Sequence, residues 1–193
     1  MSTVHTGKMT ADQFWQWCQR PEQDDRPAEL VRGVVVELPF GSEQHGVVCS
    51  WVSYLLGKNV YQRGGAVVIN GSGLVIQEDP GTVRSVDIMV FSEMARDQME
   101  ASPCRRVPQL IVEVVAPTDD PPGLDDRVGD YLGRGVPLVW LVNLSTRTVR
   151  VYRPGEMPND VDESDTLIGD GVLPDLRLPV AELFRLPSAP TPT

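Results

Sequence analysis

Residues 110–115 read Leu-Ile-Val-Glu-Val-Val, an apolar run of strand-forming residues with one carboxylate, Glu113, in its middle. An apolar run of this length, rich in β-branched residues, predicts a buried strand. A carboxylate inside a buried strand costs free energy unless another group binds it. Upstream, the segment Val83–Phe91 repeats the pattern with Asp87 as its only acid. We therefore expect two strands that each carry one buried or half-buried acid.

The two acids are candidates for a metal site. Alternate residues of a strand face the same side, so Asp87 and Glu113 can converge on one pocket if their strands lie side by side. Mg²⁺ takes oxygen ligands and keeps several waters, so two carboxylates and a backbone carbonyl are a sufficient protein contribution. The pattern indicates a Mg²⁺ site, with Mn²⁺ as a substitute. In the alternative interpretation, both acids pair with arginines or lie near strand ends in contact with solvent.

The length, composition and charge of the chain limit the classes of protein to which it can belong. The chain has 193 residues, 41% of them hydrophobic and 23% charged, which is typical of a folded globular protein. We expect one domain over residues 10–186, with flexible ends at 1–9 and 187–193. The 17 basic and 27 acidic residues give a net charge of −10, which argues against loose, charge-driven binding to nucleic acid. A local basic groove remains compatible with this charge.

The cysteines and the apolar runs bear on the cellular location. Three cysteines, Cys18, Cys49 and Cys104, are widely spaced and fit neither a disulfide framework nor a zinc site. No apolar run approaches the roughly 20 residues that span a bilayer, and the first ten residues do not resemble a signal peptide. We therefore expect a cytoplasmic protein without membrane association.

Periodicity and capping residues predict the order of helices and strands. We expect helices at Thr10–Cys18, Ser42–Tyr61, Gly123–Arg134 and Val180–Leu186. We expect strands in a hairpin over Ala28–Leu38, then at Ala66–Asn70, Leu74–Gln77, Val83–Phe91, Leu110–Val115, Pro137–Asn143 and Thr148–Tyr152, with a surface loop at Gly155–Asp165. The second helix should bury an apolar stripe of Val47, Val48, Trp51, Val52, Leu55 and Leu56. Strands clustered in the middle of the chain with inserted helices predict an α+β, or mixed α/β, fold.

Five segments follow the order and spacing of a known family. They are AELVRGVVVELP with Glu29, the start of the long helix with His45, VRSVDIMVF with Asp87, PQLIVEVVAPTDD with Glu113, and DYLGRGVPLVWLVN from Asp130 to Asn143. Together they resemble the Uma family of restriction-endonuclease-like proteins. This family was long catalogued as a domain of unknown function and is placed in the PD-(D/E)xK nuclease superfamily. The resemblance covers about Thr10 to Leu186.

The resemblance implies a restriction-endonuclease-like core, a mixed β-sheet flanked by helices, with Asp87 and Glu113 as metal-binding acids. It also implies that Glu29 and His45 lie near the active-site cleft. The implied function is Mg²⁺-dependent endonuclease cleavage of DNA, and a homodimer would let two sites reach both strands. On the residues alone, Glu29 would bond neighbouring backbone or pair with Arg32, and His45 would be an exposed residue of a first helical turn.

The cation of the site is the point at which this chain departs from the superfamily. Nucleases of this plan usually carry a lysine two residues after the second acid, where this chain has Val115. In the Uma family the lysine lies instead on the following helix, one turn before a tyrosine, and the matching residue here is Arg127, four residues before Tyr131. At 3.6 residues per turn, the side chain of Arg127 can reach toward Glu113.

Arginine changes the chemistry that the site would support. It stays protonated and cannot serve as a base, although it can stabilise charge that develops on a phosphate. Three hypotheses therefore remain open: a Mg²⁺-dependent DNA endonuclease weakened by Arg127, a catalytically inactive nuclease fold that binds nucleic acid or a protein partner, and a structural domain whose buried acids are satisfied by arginines.

Overall fold

A computed structural model describes residues 8–23, 26–95, 97, 99–115 and 121–185 of the chain. Residues 1–7 and 187–193, expected to be flexible ends, lie outside this part, and so does Leu186, the expected end of the last helix.

The helices begin where the sequence provides caps. Within the described residues they are α1 (Ala11–Cys18), α2 (Glu43–Val60), α3 (Pro121–Arg134) and α4 (Val180–Leu183). The side chain of Thr10 accepts a hydrogen bond from the backbone N–H of Gln13, and that of Ser42 accepts one from His45. These bonds satisfy amide groups that have no partner inside the helix, which fixes the start of α1 and of α2.

The strands form one large sheet and one small one. They are β1 (Ala28–Val31), β2 (Val34–Glu37), β3 (Ala66–Gln77), β4 (Thr82–Phe91), β5 (Leu110–Val115), β6 (Val139–Asn143), β7 (Thr148–Tyr152), β8 (Asn159–Val161), β9 (Thr166–Ile168) and β10 (Arg177–Pro179). The large sheet has the order β2-β1-β4-β5-β6-β7-β8, with β3 paired to β4, and β9 pairs with β10. Strands β5 and β6 are parallel, and α3 forms the crossover between them.

The edges of β4 create a fork in the sheet. Strand β3 pairs with β4 from one end to the other, between Ala66↔Phe91 and Gln77↔Thr82. Strands β1 and β5 must therefore share the opposite edge of β4. The β5 pairing ends at Ile88↔Val112, and β1 pairs at Leu30↔Val83. Residues 84–87 of β4 consequently face a gap between β1 and β5, which we call the fork.

Among the apolar clusters that cover the sheet, two hold α2 and α3 against it. Alternate residues of β5 divide between them, because Val112 packs with residues of α2 and α4 while Ile111 packs with Val128 and Tyr131 of α3. Glu113 has the same parity as Ile111, which directs its side chain toward α3. The mixed sheet flanked by helices confirms the predicted α+β fold class.

Three local predictions were wrong. The strands expected at Ala66–Asn70 and Leu74–Gln77 are one strand, β3, in which two residues, Asn70 and Gly71, oppose the single residue Asp87. Both have positive φ angles, 74° and 62°, so the expected turn is a bulge in a continuing strand. The predicted loop at Gly155–Asp165 contains β8, and β9 and β10 were not predicted, because strands of three residues carry little alternation.

The buried face of α2 is narrower than predicted. Val48, Val52 and Leu56 are buried, whereas Val47 is 39% exposed, since it lies about 100° around the helix from Val48. In the described part of the chain, no helix is long and apolar enough to cross a membrane.

Candidate active site

The side chain of Glu29 on β1 lies in the fork and accepts a backbone hydrogen bond from β4, which faces the gap between β1 and β5 there. Its side chain is 2% exposed, and Oε1 accepts a hydrogen bond of 2.7 Å from the backbone N–H of Ser85. Two arginines neutralise the carboxylate: Nη1 of Arg84 lies 3.0 Å from Oε2, and Nη1 of Arg127 lies 2.7 Å from Oε1. Its arginine partners thus come from β4 and α3, and not from the adjacent turn at Arg32.

Asp87 lies at the point where β4 leaves β5. Its Oδ2 accepts a 2.8 Å hydrogen bond from the backbone N–H of Val114, which lies two residues beyond the last residue of β5 that pairs with β4. The same oxygen lies 3.1 Å from Nε2 of His45 at the start of α2. His45 is therefore not an exposed residue of a first helical turn: its side chain is only 21% exposed and reaches the fork.

Glu113 is the most strongly perturbed carboxyl group of the site. Burial raises the pKa of Glu113 from 4.5 to about 8, and the negative charge of Asp87 acts in the same direction, against the smaller opposing effect of Arg127. The phenol of Tyr131 donates a hydrogen bond to Oε1 of Glu113, and Nη1 of Arg127 lies 3.6 Å from the same oxygen. The charge of Asp87 is thus close enough to disfavour the ionised form of Glu113.

Arg127 joins the two sides of the fork. Besides Glu29 and Glu113, its Nη1 donates a 3.0 Å hydrogen bond to the backbone carbonyl of Ser85. Burial lowers the pKa of Arg127, but the carboxylates of Glu113 and Glu29 outweigh it and raise the pKa above its ordinary value. The guanidinium group is therefore permanently charged, and its 18% exposed side chain remains accessible to solvent.

Arg84 and Asp130 extend the network away from Glu113. Nη2 of Arg84 lies 2.6 Å from Oδ2 of Asp130 on α3, so that Arg84 bridges Glu29 and Asp130. Sequence reasoning missed Arg84 as a site residue, since an arginine within a strand is ordinarily solvent-exposed and only 7% of this one is. The sequence indicated Tyr131 only as the family's tyrosine that follows Arg127, and its hydrogen bond to Glu113 could be found only from the packing of α3 on β5.

A second group of potential ligands lies on the α2 side of Asp87. Sγ of Cys49 lies 3.6 Å from Nδ1 and 3.8 Å from Nε2 of His45. His45, Cys49 and Asp87 offer ligand atoms that all lie within 4.8 Å of one another. Burial, and after it the charges of Asp87 and Glu113, raise the pKa of the Cys49 thiol. The cysteine spacings did not indicate Cys49, but its position four residues after His45 was a readable signal for two side chains on one helix face.

The mixed sheet and the acids around its fork define a restriction-endonuclease-like protein. A solved structure described as "a putative nuclease belonging to DUF820 from Anabaena variabilis" has the same fold, with a TM-score of 0.74 and 20% sequence identity over 91% of this chain and 97% of that chain. The model of the Uma2 family, described as "Putative restriction endonuclease", matches residues 11–181. The chain belongs to this family, which confirms the resemblance read from the sequence. No curated protein matched the chain in a sequence comparison.

Proposed function

We propose that this chain is a divalent-metal-dependent endonuclease that hydrolyses phosphodiester bonds of DNA, with Mg²⁺, or Mn²⁺ in its place, held by Asp87 and Glu113. The support for the reaction class is membership of the Uma2 family and the fold. The support for the metal is the charge of the fork, and DNA as the substrate follows from the family's description.

The observation that carries the proposal is an excess of negative charge. The fork collects four carboxylates and two guanidinium groups, those of Glu29, Asp87, Glu113, Asp130, Arg84 and Arg127. Counted with all four carboxyl groups ionised, as they would be around a bound cation, and without His45, four negative and two positive charges leave −2, which one divalent cation balances. Without a cation, Glu113 retains a proton at neutral pH because burial and Asp87 disfavour its charged form. A raised carboxyl pKa beside a second carboxylate is what a cation site shows when the cation is absent.

The residues present fit a hard divalent cation. Carboxylate oxygens are its preferred ligands, and water completes the coordination. When bound, such an ion lowers the pKa of a coordinated water and neutralises charge on a phosphodiester. Asp87 is held by the Val114 amide and Glu113 by the Tyr131 phenol, so both ligands are oriented by groups outside the ion's contact.

Arg127 would act on the phosphate. Its guanidinium group carries a permanent charge next to Glu113, where a phosphate oxygen on the metal would also lie, and it can stabilise the charge of the transition state. It cannot remove a proton from the attacking water, since arginine does not deprotonate in proteins. We therefore expect cleavage to be slow, with the proton leaving to solvent or to His45.

A second candidate function is favoured by the 2.7 Å contact between Arg127 and Glu29. If this ion pair persists when nucleic acid arrives, Arg127 is unavailable to a phosphate. The chain would then be a catalytically inactive nuclease fold that binds nucleic acid or a protein partner. The contacts of Glu29 with arginine also agree with the third hypothesis, a structural domain whose buried acids are satisfied by arginines. Asp87 does not agree with it, because a histidine and a backbone amide hold this acid.

Nicking of supercoiled plasmid with Mg²⁺ or Mn²⁺ tests these functions. We compare the parent chain with Asp87→Asn, Glu113→Gln and Arg127→Lys. An exposed ion pair supplies matched controls, Asp160→Asn for the acids and Arg150→Lys for the arginine. Cleavage by the parent that both acid variants abolish and both controls retain supports the endonuclease.

The other outcomes separate the alternatives. Cleavage by Arg127→Lys but not by the parent supports the inactive nuclease fold, with arginine as the cause. If neither protein cleaves and calorimetry detects no Mg²⁺ binding, both nuclease proposals fail and the structural interpretation stands. Sedimentation of the parent with and without DNA tests the homodimer, which remains a prediction, as does the cytoplasmic location.

A further inference from the structure

The N-terminal turn of α2 presents two soft donor groups to Asp87. His45 and Cys49 are four residues apart and share one helix face. Nε2 of His45 lies 3.1 Å from Oδ2 of Asp87 and 3.8 Å from Sγ of Cys49. The opposite side of the imidazole faces backbone, because a Cβ atom built on Gly41 would lie 3.2 Å from Nδ1. The carboxylate therefore lies at Nε2, whereas the thiol lies at nearly equal distances from both ring nitrogens, 3.6 Å from Nδ1 and 3.8 Å from Nε2. Binding of one ion by Nε2 and Sγ thus requires the Cys49 side chain to rotate toward Nε2.

These separations match the ligand shell of a small transition ion. Bond lengths of about 2.0 Å for nitrogen and oxygen and about 2.3 Å for sulfur place tetrahedral ligands about 3.3–3.6 Å apart. From Nε2, the distances to oxygen and to sulfur are 3.1 Å and 3.8 Å, a few tenths of an ångström on either side of this range, and the sulfur–oxygen pair lies within 4.8 Å. All three residues are half-buried, so a water can reach a fourth position. Three protein ligands with one open position are typical of catalytic and exchangeable zinc sites.

The donor set selects an ion different from Mg²⁺. Thiolate and imidazole groups bind Zn²⁺ and Co²⁺ far better than Mg²⁺, which is held by oxygen ligands. Asp87 thus lies between two donor sets, with the carboxyl of Glu113 on the α3 side and His45 and Cys49 on the α2 side.

We propose that His45, Cys49 and Asp87 form a site for a borderline transition ion, Zn²⁺ or Co²⁺, with Cys49 bound as the thiolate. Binding forms one metal–sulfur bond and releases the thiol proton to solvent, with no change of oxidation state. The site includes Asp87 but does not depend on nuclease activity.

Cobalt titration of the full chain under reducing conditions tests the proposal. Thiolate bound to Co²⁺ gives a charge-transfer band in the near ultraviolet, and tetrahedral Co²⁺ gives intense visible bands. We expect both to saturate at one equivalent and to disappear when Zn²⁺ is added. Cys49→Ser should lose the ultraviolet band, and Cys104→Ser, another half-buried free cysteine, should retain it. His45→Ala should weaken binding by at least about tenfold, the lower loss seen even for outer-shell partners of metal ligands.

Alkylation gives a second measurement that does not need a folded Cys49 variant. Because burial and the neighbouring acids raise the pKa of the Cys49 thiol, its alkylation by iodoacetamide is slow and is followed over long exposure by mass spectrometry. Zn²⁺ should reduce the extent of this alkylation in the parent, while Cys104 keeps its own rate. Asp87→Asn should reduce that protection. The proposal is overturned if Co²⁺ gives no thiolate band with the parent, if Cys49→Ser keeps the band, or if Zn²⁺ leaves alkylation of Cys49 unchanged. A Mg²⁺-dependent nicking activity would survive these outcomes, so failure of this site and failure of the proposed nuclease are distinguishable.

Discussion

Replacing Glu113 by glutamine should make the stability of the folded chain less dependent on pH. Glutamine keeps the shape of the side chain and an oxygen that accepts from the Tyr131 phenol, but it does not titrate. In the parent, burial and the charge of Asp87 raise the pKa of Glu113 from 4.5 to about 8. The folded state therefore holds this proton more tightly than the unfolded state does.

The sign and size of the effect follow from proton linkage. Between pH 4.5 and about 8 the folded chain binds more protons than the unfolded chain, so the parent loses stability as pH rises through this window. At about 1.4 kcal/mol per pH unit, the full interval corresponds to about 5 kcal/mol. This is comparable with the free energy of unfolding of many domains. The charge of Arg127, 3.6 Å from Glu113, lowers this pKa and is already contained in it, so its loss adds no separate penalty to the variant.

Urea unfolding at several pH values between 4.5 and 8.5 measures this difference. The variant should be no more stable than the parent near pH 4.5 and should gain on it by several kcal/mol by pH 8.5. Mg²⁺ at pH 8 should stabilise the parent, because a bound cation favours the charged carboxylate, and should have little effect on the variant. Parallel stability curves for the two proteins would refute the reasoning about Glu113, and equal Mg²⁺ effects would refute its role as a ligand.

Two further substitutions probe the remaining contacts of the fork. Glu29→Gln removes the charge that Arg84 and Arg127 neutralise, and should destabilise the chain by about 3 kcal/mol in urea unfolding at pH 7. This is the lower end of the range for a broken buried ion pair, because the glutamine amide oxygen can still accept the hydrogen bond from the Ser85 backbone. An unchanged free energy of unfolding would mean that the arginines turn to solvent instead. Tyr131→Phe removes the hydrogen bond to Glu113 and should cost about 1–3 kcal/mol. It should also raise the pKa of Glu113 further, which carboxyl NMR measures, and an unchanged or lower pKa would contradict the assigned hydrogen bond.

The sequence was sufficient to predict those strands and helices whose position follows from a single hydrophobic periodicity. Strand-forming residues predicted the strands that carry Asp87 and Glu113, and the family resemblance, together with helical spacing, placed Arg127 near Glu113. The fork was not predictable, because it depends on which strands share an edge of β4, a choice that packing makes across long separations. Arg84 therefore looked like an ordinary strand residue. Cys49 was missed because its partner Asp87 lies on another element, 38 residues away in sequence.

Because two arginines neutralise Glu29, this carboxylate keeps a counter-charge even when one of them moves away. If Arg127 leaves Glu29 to bind a phosphate, Arg84 still holds Oε2 of Glu29 at 3.0 Å, and Ser85 still donates to Oε1. The buried carboxylate is then never left without a counter-charge, which is the main cost of breaking a buried pair. Arg127 can therefore exchange Glu29 for a substrate at a modest free-energy cost. A lysine at this position could make the same exchange and could also lose its proton, so in the proposed endonuclease the effect of arginine would fall on proton transfer and not on phosphate binding.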